Sequence, residues 1–337
     1  MKHLISILAL LASISASAET YKVIAPIPES EDGDMVYLFN FDTKAKIDSV
    51  EVAHGTATFT GEIDEPIVAR IIGEDQTPYG TFFLEQGTIA IDQTKHRAVG
   101  SMLNDQYNEM GTEIGKIITQ YQNASTDLEK ENAYNAYLTF FKNAIDSNLD
   151  SPIGYYVFLD FASTFENPET LIKYIEARPA LKQYQRVQKL IEASQRRLAT
   201  SEGKPFVDFE VTYDGKTTRL SDYVGKGKYT LVDFWASWCG PCMREIPVIK
   251  EIYNQYHDKG LQVLGVATWD EPENTMRAIE QQQIPWPTIL NSQSIGSDAY
   301  GISGIPCIIL FGPDGTIVSR DARGDDLKAV IAREMAK

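Results

Sequence analysis

Two cysteines stand two residues apart in Trp238-Cys239-Gly240-Pro241-Cys242. They follow an apolar run, Leu231-Val232-Asp233-Phe234-Trp235, and open an amphipathic stretch, so a strand should lead into a helix whose first turn carries both thiols. A pair so spaced can close into a small disulfide ring and reopen, which is the chemistry of thiol–disulfide exchange. At a helix N-terminus, free N–H groups and the helix dipole favour a thiolate, bringing a cysteine pKa from roughly 8.5 towards 7 or below. Cys239 is therefore the expected nucleophile, with an exposed side chain. Cys242, one turn further in, is expected to be shielded and to resolve the mixed disulfide.

Two carboxylates lie close by in sequence. Asp233 sits between Val232 and Phe234, where a lone carboxylate is costly to bury. Burial raises a carboxyl pKa, which would let Asp233 take the proton of Cys242 at the resolving step. Glu245, three residues beyond Cys242, fits either simple compensation of the helix dipole or a second acid/base group. Cys307 is the odd cysteine, expected as a small buried residue starting a core strand, with a third thiol beside the dithiol as the alternative. The histidines (His3, His54, His96, His257) are scattered and no Cys/His set has zinc-site spacing, so neither a metal nor a cofactor beyond the redox disulfide is expected.

The elements that must hold these groups occupy a chain of 337 residues, enough for two or three domains. Residues 1–18 are expected to be a cleaved secretory signal: Lys2 and His3, an apolar stretch from Leu4 to Ile14, then Ser15-Ala16-Ser17-Ala18. That stretch is shorter than the roughly 20 residues of a membrane span. No cysteine follows the cleavage site, so the expected location is periplasmic without a lipid anchor. Three cysteines are too few, and uneven, for a structural disulfide framework in an exported chain. Without Lys2 the chain carries 30 basic against 47 acidic residues, a charge of −17, distributed as −9 over residues 19–100, −3 over 101–200 and −5 over 201–337. No segment offers the basic face that nucleic acid or anionic lipid requires.

Residues 19–100 read as short strands. Val36–Phe39, Ala57–Thr60, Ile67–Ile72, Thr81–Leu84 and Thr88–Ile91 are separated by breakers such as Asp32-Gly33-Asp34 and Gln86-Gly87, which predicts a small antiparallel β-sandwich. Residues 101–200 read as helical, with Ile114, Ile117, Ile118 and Tyr121, then Tyr134, Tyr137, Phe140 and Phe141, as core positions. Ser151-Pro152 predicts a capped helix start, and a last helix over about 183–198 ends in Arg196 and Arg197. Gly203-Lys204-Pro205 marks a boundary, and residues 201–337 alternate strands and helices as an α/β sheet.

Several motifs in this last region carry a family resemblance. Val232-Asp233-Phe234-Trp235-Ala236-Ser237-Trp238-Cys239-Gly240-Pro241-Cys242 continues into Met243-Arg244-Glu245-Ile246-Pro247, a C-x-x-C-x-x-E-x-P pattern. With the segment from Trp269 to Leu290 and the loop Gly301-Ile302-Ser303-Gly304-Ile305-Pro306, it resembles the secreted TlpA/ResA-like thioredoxin-fold oxidoreductases, relatives of the AhpC/TSA-like redoxins. The resemblance implies a thioredoxin fold, roles for Asp233 and Glu245 beside the dithiol, and a cis-Pro306 facing Cys239. It also implies that Ile305 offers backbone groups to an extended substrate chain, with Trp238, Gly240 and Pro241 completing the contact surface. Plain thioredoxin often pairs the buried Asp with a lysine, which the strand Leu261–Ala267 lacks. Trp235 and Trp238 are expected to wall the site, and Trp286 either to pack or to lie near the substrate groove. Residues 19–100 resemble the domain of unknown function that often precedes such redox domains, through Ile47-Asp48-Ser49, Phe83 to Ile89, and Gly100-Ser101 with Asn104.

The leading expectation is a reductant that passes electrons from a membrane thiol donor to disulfides in exported proteins, apocytochrome c among them. Gly-Pro between the cysteines resembles thioredoxin, at ~−270 mV against ~−120 mV for a strong oxidant. An oxidase or isomerase is the alternative. A peroxidase fits less well, because Cys239 lacks the threonine of the P-x-x-x-T-x-x-C setting. Residues 19–200 could also act as a binding module or hold two copies together as a homodimer.

Overall fold

The computed structural model describes residues 19–337, so the leader expected over residues 1–18 lies outside the described residues. Contacts divide the chain into two compact units: one running to Thr164 and including Ala180–Arg186, the other comprising Phe165–Pro179 and Val187–Lys337.

The first unit opens with β1 (Glu19–Pro26), β2 (Met35–Asn40), β3 (Lys46–Glu51), β4 (Thr56–Ile63), β5 (Ile67–Gly73), β6 (Pro78–Leu84), β7 (Gly87–Asp92) and β8 (Arg97–Val99). These form two 4-stranded sheets, ordered β4-β1-β7-β8 and β3-β2-β5-β6. Alternate residues of both, such as Val23, Ala25 and Phe59 from one and Val36, Leu38 and Ile71 from the other, meet in one core. The expected antiparallel sandwich needs one correction: β1 and β7 run parallel. A parallel pair requires a crossover, and the strands of the other sheet lie between these two in the chain.

Helix α1 (Met102–Asn123) is seated on β6 by residues of the motif noted above. Asn104 accepts from the Phe83 N–H at 3.0 Å and donates to the Phe83 carbonyl at 2.7 Å, while Glu85 accepts from the Leu103 N–H at 2.6 Å. Helix α2 (Asp127–Asp146) begins with a capping box between Thr126 and Glu129. Helix α3 (Pro152–Ala162) starts as expected, with Ser151 capping and Pro152 in the first turn. Phe141 is buried, but Ile118, Tyr121 and Tyr134, expected in the core, are exposed. Periodicity assigns each a helical face but not a depth; Ile118 and Tyr121 lie near the end of α1 and Tyr134 near the start of α2.

The second unit contains α4 (Pro168–Glu176), most of α5 (Gln185–Ala199), the hairpin β9 (Glu210–Tyr213) and β10 (Lys216–Arg219), and then an α/β layer. That layer runs β11 (Thr230–Trp235), α6 (Gly240–Tyr256), β12 (Gln262–Thr268), α7 (Pro272–Gln282), β13 (Thr288–Gln293), α8 (Ile295–Ala299), β14 (Cys307–Phe311), β15 (Ile317–Arg320) and α9 (Gly324–Met335). Its 5-stranded sheet is ordered β13-β12-β11-β14-β15. The strands β11, β12 and β13 are parallel and β14 antiparallel, a thioredoxin fold extended by α7 and β13. Every residue of the central strand β11 is buried. Leu231 and Trp235 pack under α6 and α9 with Ile246, Ile249 and Leu327, whereas Val232 and Phe234 face the opposite layer with Leu264 and Phe311. Full burial of each such side chain is worth about 1.5–3 kcal/mol.

The helical stretch 101–200, expected as one region, is divided between the units. The last turns of α5 are held by the α/β layer. Arg197 pairs with Asp321 at 2.6 Å, and Thr200 accepts from Arg320 at 2.7 Å. A Cβ at Gly301 would stand 2.1 Å from the Ala193 carbonyl oxygen. Arg197 thus serves a tertiary contact as well as the helix pole. No helix among the described residues is long and apolar enough to cross a membrane.

Candidate active site

Cys239 is the N-cap residue of α6 and Pro241 lies in its first turn, so the helix begins inside the dithiol ring. The two cysteines form a disulfide with Cα atoms 5.2 Å apart. The Cys242 N–H donates to Cys239 Sγ at 3.2 Å, so one of the orphan amide groups of the helix start is aimed at this sulfur. When the ring is reduced, that N–H and the helix dipole stabilise negative charge on Cys239 and not on Cys242. Cys239 is 4% exposed and Cys242 0%. The order of accessibility follows expectation, but the exposed side chain expected for Cys239 does not: in the oxidised form it is enclosed, with Sγ 3.6 Å from the Ile305 carbonyl oxygen.

Ile305-Pro306 is a cis peptide bond, and its loop closes the site opposite α6. Around it Trp238 is 61% exposed, Gly240 and Pro241 are exposed, and Ile305 is half-buried. Trp235 is buried beneath, with its indole Nε1 so near β12 that a Cβ at Gly265 would approach it to 2.9 Å. Trp286 is buried and packs on Tyr253, so it belongs to the core and not to a groove.

Asp233 shares the α6 side of the sheet with Leu231 and Trp235 by strand alternation. It is 2% exposed, and its Oδ1 has no hydrogen-bond partner. Burial, and secondly the charge of Glu245, push its carboxyl up to about 7, with Arg323 opposing. Glu245 is itself buried, and Oε1 accepts from the Gly324 N–H at 2.7 Å. It therefore compensates a helix N-terminus, but that of α9 and not its own.

Cys307 is buried on the opposite side of the sheet, in the layer of Phe234 and Ile309, and donates to Asp321 Oδ1 at 3.2 Å. Burial and Asp321 raise its thiol pKa. The third-thiol alternative is overturned: strand alternation turns Cys307 away from the dithiol.

Two contributors escaped the sequence reading. Asp270, 3% exposed after β12, accepts from the Ser237 N–H at 2.7 Å, Ser237 Oγ at 2.9 Å and Thr275 Oγ1 at 2.8 Å. Beside it the Trp238 indole N–H donates to the Trp269 carbonyl at 2.9 Å, so the turn leading to Cys239 is fastened to the end of β12. The signal that could have found Asp270 is its place just past the carboxyl end of β12, where open α/β sheets put their sites. The other is Arg323, which donates to the Pro306 carbonyl. Nothing local marked it. Among the described residues no set of three His, Cys, Asp or Glu side chains is placed to hold a metal ion.

Residues 203–320 match the AhpC/TSA family, and residues 21–107 match a domain of unknown function, DUF4369. The thiol-disulfide oxidoreductase ResA of Geobacillus thermodenitrificans is 31% identical over 120 residues, 35% of this chain and 68% of that protein. ResA of Bacillus thuringiensis subsp. konkukian is 26% identical over 136 residues, 40% of this chain and 77% of that protein. The crystal structure of the thioredoxin domain of a thiol-disulfide oxidoreductase from Bacteroides vulgatus is 34% identical, covers 40% of this chain and 98% of its own, and superposes with a TM-score of 0.37. With its cysteine pair at the start of α6 and this shared sequence, the chain belongs to the TlpA/ResA-like thioredoxin-fold thiol–disulfide oxidoreductases.

Proposed function

We propose that this oxidoreductase works as a periplasmic disulfide reductant, receiving electrons from a membrane thiol donor and passing them to disulfides of exported proteins, apocytochrome c among the candidates. The observation that carries the reading is the pairing of an N-capping sulfur with a buried, unpartnered carboxylate on the same side of the sheet, Cys239 above and Asp233 below. In the reduced enzyme the Cys239 thiolate attacks a substrate disulfide; one Cys239–substrate bond forms and the first substrate sulfur leaves as a thiolate. Asp233 then takes the proton of Cys242, whose sulfur attacks Cys239 Sγ and expels the second substrate sulfur. Two electrons have passed to the substrate, and the Cys239–Cys242 disulfide remains. Glu245 acts as the second acid/base group and sets the proton affinity of Asp233 through its charge.

The substrate chain docks in extended form on the backbone of Ile305 at the cis-Pro306 loop, against Trp238, Gly240 and Pro241. No cofactor beyond the redox disulfide is invoked. Residues 19–200 are proposed to join two copies of the chain.

The reduction potential of the Cys239–Cys242 couple, read by tryptophan fluorescence in thiol buffers, tests the direction. A value near that of thioredoxin, ~−270 mV, supports a reductant, and one near ~−120 mV makes the protein an oxidase or isomerase. Mixed disulfides stalled on Cys239 in a Cys242→Ala variant would name the substrates.

A further inference from the structure

Arg323 links the cis-Pro306 loop to the start of α9, beside the residue that binds Glu245, yet no step above uses it. It is the N-cap residue of α9 but makes no side-chain cap; its backbone is extended and its guanidinium turns back to donate to the Pro306 carbonyl. Among the described ion pairs it has no carboxylate partner. The next residue, Gly324, adopts φ +54° with open space where a Cβ would stand, so glycine is favoured there by conformation and not by crowding. In that conformation its N–H reaches Glu245 Oε1.

These contacts close a ring. It runs from Cys239 along α6 to Glu245, across to Gly324, through Arg323 to the Pro306 carbonyl, and by way of Ile305 back to Cys239 Sγ. The placement of Arg323 is firm, because the Asp321 N–H donates to the Ile308 carbonyl at 2.8 Å and the Cys307 thiol to the Asp321 carboxylate. We propose that Arg323 is a positioning residue that couples the substrate-docking loop at Pro306 to the buried Asp233–Glu245 carboxylates, so that docking and proton transfer are set by one side chain. The proposal rests on the reading of Asp233 as the proton acceptor.

Its physical basis is the charge distribution around Asp233. The charges that act on it are Glu245 of α6, which raises its proton affinity, and the exposed Arg323 before α9, which lowers it, while its strand neighbours on β12 and β14, Gly265 and Ile308, carry no charge. Arg323 is therefore the cation that offsets Glu245. Because one guanidinium serves both this offset and the Pro306 carbonyl, a shift of the loop when a substrate chain docks moves the charge relative to the carboxylates.

The test follows both steps of one reaction. Reduced full-length protein is mixed with a symmetrical aromatic disulfide that releases a coloured thiolate, and the two releases are resolved by stopped flow. The first is bimolecular attack by Cys239, and the second is unimolecular resolution by Cys242. For wild type the second rate should rise with pH to a plateau. Arg323→Gln should move that midpoint up by about half a pH unit, a modest shift because Arg323 is exposed and its field is screened. Arg323→Lys, which keeps the charge, should leave the midpoint with wild type. Both should melt with wild type; if Arg323→Gln melts early, Arg323→Met, which removes the charge but keeps the apolar stem, is read in its place, and a wild-type midpoint there, or a raised one in Arg323→Lys, overturns the proposal.

Asp233→Asn separates this proposal from the reading it depends on. If that variant keeps the wild-type titration, Asp233 is not the proton acceptor. If it abolishes the titration while Arg323→Gln moves nothing, or Lys and Gln move it equally, the coupling through Arg323 is wrong and the role of Asp233 stands.

Discussion

Phe234 of β11 and Cys307 of β14 are paired across the sheet, and both side chains point away from α6. The residue that follows the cis-proline is thus separated from the dithiol by the sheet itself. Cys307→Ser keeps a hydroxyl donor for Asp321 and should leave both the rate of disulfide exchange and the potential within about twofold of wild type. A stability loss of about 1 kcal/mol in a denaturant melt is expected from one weakened buried contact. Loss of activity in a folded variant would restore Cys307 to the chemistry.

Asp233 makes stability depend on pH. Its folded-state pKa is raised from 3.8 to about 7, so between those values the folded chain holds a proton that the unfolded chain has released. Stability should therefore fall as pH rises from about 4 to about 7 and level off above. Asp233→Asn should remove this dependence, and its stability advantage over wild type should grow across that window to about 2–4 kcal/mol at pH 8. Equal differences at pH 4 and pH 8 in urea melts would show that folding does not raise the pKa of Asp233.

Asp270 holds the turn that presents Cys239. Asp270→Ala leaves the Ser237 N–H, the Ser237 hydroxyl and the Thr275 hydroxyl without their acceptor. A loss of about 2–4 kcal/mol is expected, since one unsatisfied buried group costs about 1–3 kcal/mol. The attack rate of Cys239 should fall severalfold as the turn loosens, and the Trp238 emission should shift. An unchanged emission with an unchanged rate would remove Asp270 from the site.

Gly301 marks the close approach of α5 to the α/β layer. At φ +59°, with a Cβ position 2.1 Å from the Ala193 carbonyl oxygen and 2.7 Å from the Arg197 nitrogen, alanine cannot be accommodated without moving backbone. Gly301→Ala should cost about 3 kcal/mol or more by thermal melt, combining strain at positive φ with the overlap. Gly304, with open space around it, should tolerate alanine with little loss.

The sequence by itself determined what depends on neighbours along the chain. An apolar strand running into a cysteine pair at a helix start dictates which sulfur is activated, because the orphan N–H groups belong to that first turn. The continuous apolar run of β11 was equally legible and carried with it the burial of Asp233. Tertiary structure decided what depends on residues far apart. Glu245 was legible as a compensator of its own helix or as a second acid/base group, but its bond to the Gly324 N–H, 79 residues on, was not. Arg323 and Asp270 gained their roles from partners 17 and 33 residues away, and no periodicity encodes such meetings. Cys239 was enclosed by the loop of Ile305, and the direction of Cys307 was set by strand register, since a side-chain period of two gives each residue one side of the sheet only once its pairing is fixed.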